Sequence, residues 1–140
     1  MSIWGRRAGL FVVFVWFMGG GITHFTNTAF FVHITPPFVP WPLAVVYVSG
    51  VLEILGAAAI LVPRLRQVAG NCLILLTLAV TPANVYMWMH PELFTNTSPN
   101  ALSVRLLVQV MLLVCIWMST RTPARLPPPS GAHVDATDTV

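Results

Sequence analysis

Four apolar runs, each about as long as a bilayer is thick, take up most of the sequence: residues 8–29 (AGLFVVFVWFMGGGITHFTNTA), 41–62, 68–89 (VAGNCLILLTLAVTPANVYMWM) and 101–119 (ALSVRLLVQVMLLVCIWMS). The hydrocarbon core is ~30 Å thick and a helix rises ~1.5 Å per residue, so ~18 or more apolar residues in a row read as a transmembrane helix. Soluble domains are about 25% charged; this chain is 8% charged and 56% hydrophobic. The expected fold is therefore all-α, a four-transmembrane-helix bundle in the lipid bilayer, forming one domain over residues 1–119. Residues 120–140, rich in Pro, Thr and Asp, lack the apolar surface to order themselves and are expected to form a disordered cytoplasmic tail.

The first run is too long for the ~7 to 15 residue core of a signal peptide, and no A-x-A site follows it, so a retained helix is expected. Orientation comes from the arginines, which collect on the cytoplasmic side of short loops. Arg6 and Arg7 precede the first span, Arg64 and Arg66 separate the second from the third, and Arg121 and Arg125 follow the fourth. Both termini are expected in the cytoplasm. These arginines read as juxtamembrane anchors rather than the basic stripe that nucleic-acid binding would require. Arg105, inside the fourth span, needs its own explanation.

The connector at residues 30–42, FFVHITPPFVPWP, carries four prolines and four aromatic residues. Proline opposes regular helix and aromatic rings settle at the headgroup level, so this segment is expected to cap the outer interface without forming a helix. The other outer loop, residues 90–100, reads as a polar turn whose NTS at Asn96 is explained by turn chemistry rather than glycosylation.

Polar residues within the spans fall into two layers. Counted from the outer helix ends, His24, Tyr47, Asn84 and Arg105 come ~6 to 10 Å down, and Glu53 and Gln109 ~12 to 18 Å down. Residues three and four apart share a helix face, which groups Ser49 with Glu53, Arg105 with Gln109, and Thr77 with Thr81 and Asn84. An ionisable side chain at the bilayer centre costs ~2.5 to 3.5 kcal/mol even on the mild insertion scale. These stripes are therefore expected to converge inside the bundle, with Glu53 as the floor of a pocket opening outward. Gly50 and Gly56 flank Glu53 and Gly19 to Gly21 precede His24, which permits close helix approach there. Pro82 frees the carbonyl of Leu78 within the third span and distorts that helix.

The motifs GITHF at the end of the first span, YVSGVLEILGAAAILVPRLR with its Y-x-x-G-x-x-E-x-x-G core, and TPANVYM in the third span resemble those of the DoxX-like family over residues 21–89. The resemblance implies a four-helix bundle in the bacterial cytoplasmic membrane, linked to quinone-dependent or thiol-related redox complexes. By position, His24, Tyr47, Glu53, Pro82 and Asn84 match the family pattern, whereas Arg105 and Gln109 are added from depth alone. Paired-cysteine thiol chemistry does not fit, because Cys72 and Cys115 are single and no C-x-x-C occurs. Both read as core fillers. His33, His90 and His133 read as solvated, no metal site is expected, and a haem would need two facing histidines. The aromatic residues Phe11, Phe14, Trp16 and Phe17 read as lipid-facing or packing groups.

Two readings of Glu53 stand: a structural pair with His24 or Arg105 that fixes helix register, or a ligand or proton site. Two functions follow. The first is an accessory or assembly subunit of a membrane redox complex, with a membrane or redox protein as partner or a second copy in a homo-oligomer. The alternative is a binding protein or enzyme for a small lipophilic molecule, a quinone or lipid, held head-first in the polar pocket. A small multidrug exporter is excluded, since its glutamate would lie in the first span and its dual insertion would need a weak arginine bias.

Overall fold

The computed structural model describes residues 2–94 and 98–121. Asn96 and Thr97 of the NTS triplet, His133 and all of the tail beyond Arg121 lie outside the described residues. Among those described there are five α-helices, α1 (Ile3–Thr26), α2 (Thr28–Ile34), α3 (Pro42–Ala59), α4 (Arg66–Met89) and α5 (Pro99–Thr120), with a 3₁₀ turn at Pro91–Leu93. Four of them, α1, α3, α4 and α5, are long and apolar enough to cross a membrane. Ser2 and Ser98 start α1 and α5 by accepting hydrogen bonds from the backbone N–H of Gly5 (3.0 Å) and Ala101 (3.2 Å), which satisfies donors a helix start leaves unpaired. Pro42 sits in the first turn of α3, where its missing N–H costs nothing.

The connector differs from the expectation. Its first part is helical, because all four prolines lie at position 36 or later, and α2 ends only where Thr35, the residue before Pro36, turns extended (ψ 126°). The residue before a proline is pushed out of the helical region by the ring. α4, by contrast, runs unbroken through Pro82.

The four long helices form a ring in the order α1, α3, α4, α5, and α2 lies across α3 and α4. One half of the ring is solid. Leu10, Val13 and Phe17 of α1, Ala57 of α3, Ala69 and Leu73 of α4, and Leu112 and Ile116 of α5 make a continuous buried cluster. A separate cluster of Ile34, Met87, Phe94 and Leu102 packs at the far end, joining α2, α4, the segment after the 3₁₀ turn and α5.

The arginines have structural duties beyond their charge. Arg6 Nε donates to the Ser119 carbonyl (3.0 Å) and Arg66 Nε to the Ile60 carbonyl (2.9 Å). These are carbonyls at the ends of α5 and α3 that lack helical partners. Arg121 lies 3.6 Å over the Trp117 ring and donates to Asn71 Oδ1 at 2.8 Å. Cys115 is half-buried between α1 and α5, its Sγ 3.7 Å from the Gly9 carbonyl. Cys72 is exposed, not a core filler, since its helical phase turns it out from the Leu73 face.

Candidate functional site

The site begins where α1 crosses α3. A Cβ on Gly21 would stand 2.8 Å from the Gly50 carbonyl oxygen, and one on Gly50 would stand 3.1 Å from the Gly21 carbonyl oxygen. Only glycine at both positions lets the two backbones touch in this way. The crossing sets His24 against α3, where its Nδ1 lies 2.9 Å from the Val46 carbonyl and 3.0 Å from Ser49 Oγ. A carbonyl only accepts, so Nδ1 carries the hydrogen and Nε2 is the nitrogen left to exchange a proton. Nε2 faces Glu53 Oε1 at 3.8 Å. The Phe31 ring of α2 covers the imidazole with ring centroids 3.9 Å apart. Glu53 Oε2 occupies the space a side chain on Gly20 would need, 2.9 Å from the ideal Cβ. Of the two partners considered for Glu53, the structure pairs it with His24, and among the described residues its carboxyl accepts no hydrogen bond.

The opposite wall is a polar chain between α4 and α5. Arg105 Nε donates to Asn84 Oδ1 (2.7 Å), Asn84 Nδ2 donates to Gln109 Oε1, and Gln109 Nε2 donates to Thr81 Oγ1 (2.6 Å). Thr81 donates in turn to the Thr77 carbonyl at 2.9 Å, and Thr77 to that of Leu73 at 2.7 Å. Each donor feeds an acceptor in one direction, an arrangement that polarises the chain and fixes both amides. Arg105 is thereby explained: it turns inward and is held by a neutral amide. Its Nη atoms make no hydrogen bond, and no carboxylate pairs with it, among the described residues.

Between the walls lies a cavity of about 1090 Å³. His24, Glu53, Pro82, Asn84, Arg105 and Gln109 all line it, as do Trp16 and Phe17, which the sequence had assigned to lipid or packing. Tyr47 does not. It stands on the outside of α3, 41% exposed, stacked on Phe25 with ring centroids 5.5 Å apart. The lining stripe on α3 is Val46, Ser49 and Glu53, and Tyr47, one residue after Val46, is turned about 100° from it. Ser49, Thr77 and Thr81 carried the spacing signal but were not chosen as site residues. Phe31 had no such signal, since its role depends on a helix the connector was not expected to contain.

At the connector end α2 and the cluster of Ile34, Met87, Phe94 and Leu102 lie over much of the cavity, with the exposed Phe38 also in its lining. Its lining residues on the facing edges of α1 and α5, Val12, Trp16 and Thr23 opposite Ala101 and Val104, are themselves exposed. Val45 of α3 and Ala79 and Pro82 of α4 are lining and exposed as well, so the cavity reaches the sides of the bundle on both flanks, with the longer exposed edge along α1 and α5. Among the described residues no three His, Cys, Asp or Glu side chains gather as a metal centre would need.

Fold and site together define an all-helical protein with four helices of membrane-spanning length and composition around a polar-walled, side-opening cavity. The chain belongs to the family described as a domain of unknown function, DUF8561, whose family model matches residues 13–120 and so takes in both polar walls. No curated protein and no solved structure matches it.

Proposed function

We propose that the protein binds a small amphipathic lipophile, of the quinone or lipid kind, with its head among His24, Glu53, Asn84 and Arg105. The cavity carries this reading. Ligand pockets span ~300 to 1,000 Å³, mostly apolar with a few placed polar groups, and this one, just above that range in volume, has that pattern. The His24–Glu53 pair adds a site for one proton beside the bound head, so proton transfer to or from a ligand is within its chemistry. The test is native mass spectrometry of the full chain from mild detergent. A bound lipophile of defined mass, lost when Arg105 and Glu53 are both neutralised, is expected; a stoichiometric protein partner without any lipophile would favour the accessory redox subunit instead.

The same proposal places both termini in the cytoplasm, His33 and Glu92 outside, and the protein in the bacterial cytoplasmic membrane as a relative of DoxX-like proteins. Its support is the arginine distribution and the motif resemblance. A single cysteine at His33→Cys is expected to react with an impermeant thiol reagent on intact cells, with Cys72 and Cys115 replaced by serine. Reaction only after lysis would reverse the topology.

A further inference from the structure

We infer that the head group this cavity takes is an anion, a carboxylate or phosphate monoester on a single hydrocarbon chain, and that it enters from within the bilayer between α1 and α5. This rests on the lipophile-binding reading and narrows it. The two walls differ in what they leave unmet. On the α1–α3 wall the one anion, Glu53, already faces an imidazole at 3.8 Å. On the α4–α5 wall the one cation, Arg105, is held only through Nε by the neutral Asn84 amide, and among the described residues no carboxylate pairs with it. A guanidinium whose terminal N–H groups are free presents a fork matched to two oxygens of a carboxylate or phosphate. In a surrounding of low dielectric that match is stronger than in water.

Geometry fixes the path of the tail. Val12, Trp16 and Thr23 on α1 repeat at four and then seven residues, and Ala101 and Val104 on α5 at three, so each set forms one edge of a single slot. These residues line the cavity and are exposed at once. Ile34, Met87, Phe94 and Leu102 pack over much of the far end. Below Arg105 the lining mixes apolar Phe17, Val108 and Leu112 with Thr77, Gln109 and Glu53, so a hydrocarbon chain is better placed trailing through the slot into lipid. A two-chain phospholipid would have to bring both chains through the same slot, whereas a single chain asks less room of it.

The test uses three probes of one chain length, oleate, oleyl phosphate and oleyl alcohol, each titrated against the purified full chain in nonionic detergent and read by native mass spectrometry. Oleate or oleyl phosphate is expected to bind more than about ten-fold tighter than the alcohol, the gain typical of a charge-assisted hydrogen-bonded pair; which of the two leads identifies the head. Arg105→Gln is expected to bring all three within about two-fold of one another, whereas Arg105→Lys keeps the anion preference. Val104→Trp, which fills the slot, is expected to weaken the three probes alike while circular dichroism and thermal unfolding stay as in the wild type. Equal binding of alcohol and anions by the wild-type protein overturns the anionic head and leaves lipophile binding standing, even if Arg105→Gln does not fold. Failure of all three probes overturns both. Unaltered binding by a folded Val104→Trp protein overturns the lateral route.

Discussion

The solid half of the bundle and the hollow half are built from the same four helices, yet one is filled by aliphatic side chains with only small hydroxyls, Ser119 and Thr120, buried among them, and the other gathers the charged and amide groups. In the solid half, small residues admit the neighbour. A Cβ on Gly70 would run into Thr120, with Thr120 Cβ at 2.7 Å, and one on Gly56 would meet Leu73, with Leu73 Cγ at 2.9 Å. Ile60, Leu73 and Ile116 fill what remains and are essentially inaccessible. In the hollow half α1 and α3 stay in contact through Gly21 and Gly50, while α4 and α5 are joined by side chains rather than small-residue packing, from Arg105 to Thr81. Close packing supplies stability where it is complete; a cavity arises where polar walls are held apart, each satisfied mainly within itself.

That contrast breaks most readily in the solid half. Ile116→Ala is expected to cost ~2 to 5 kcal/mol, the range for emptying a filled core position. Val108→Ala, one helix face away and bordering the cavity, is expected to cost under about 1 kcal/mol because little closes over the gap it leaves. Denaturation in mixed micelles measures both, and equal losses would mean that the cavity is packed like the core. Next comes Gly21→Val, where the added side chain meets the Gly50 carbonyl and the Ile54 side chain. Overpacking of this sort costs ~1 to 3 kcal/mol, and here it also moves His24 off Val46, so lipophile binding should fall with stability.

Glu53→Gln separates the two readings of that residue. The amide is nearly isosteric and keeps hydrogen-bonding atoms, so stability is expected to change by no more than about 1 kcal/mol while binding or proton transfer is lost. A register-fixing charge pair would behave otherwise, since removing one partner of a buried pair costs ~3 to 5 kcal/mol. Thermal unfolding run beside the mass-spectrometric binding assay tells the two apart.

The smallest effect lies outside both halves. Glu92, fully exposed in the 3₁₀ turn, is held below the ordinary carboxylate value of 4.5, first by its own backbone N–H and then by the His90 side chain. A depressed carboxyl contributes stability that is present above its unfolded value and lost as pH falls through its folded one. The protection of the Leu93 and Phe94 amides, taken relative to intrinsic exchange at each pH, is therefore expected to fall only on acidification below 4.5, with Glu92→Gln removing that dependence and the solid half showing none.

Much of this architecture was readable before any coordinates. The four spans end within a few residues of their observed limits, because an apolar run of bilayer length leaves little choice but a helix, and the serines and prolines that start the helices are local signals. The stripes Ser49 with Glu53 and Arg105 with Gln109 were legible for the same reason: they depend only on the helical repeat. Tyr47 was misplaced because depth along a helix says nothing of rotation about it. α2 was missed because its first two residues were read into the first span and prolines over residues 36–42 were allowed to speak for residues 30–34, and Phe31, its contribution to the site, went with it.

By itself the sequence determined how many long apolar helices there are, where each lies to within a turn or so, and which polar groups share a face, since all of these are set by neighbours within a turn or two. Which faces meet was decided only in three dimensions. The touching backbones at Gly21 and Gly50 rotate His24 onto Val46 and turn Glu53 to it, the Asn84–Gln109 hydrogen bonds bind Arg105 to the other wall, and α2 folding back over α3 and α4 covers much of the end of the cavity and leaves its sides open. These are relations between residues some 20 to 30 positions apart, fixed by the packing of whole helices, and no periodicity along one chain segment carries them.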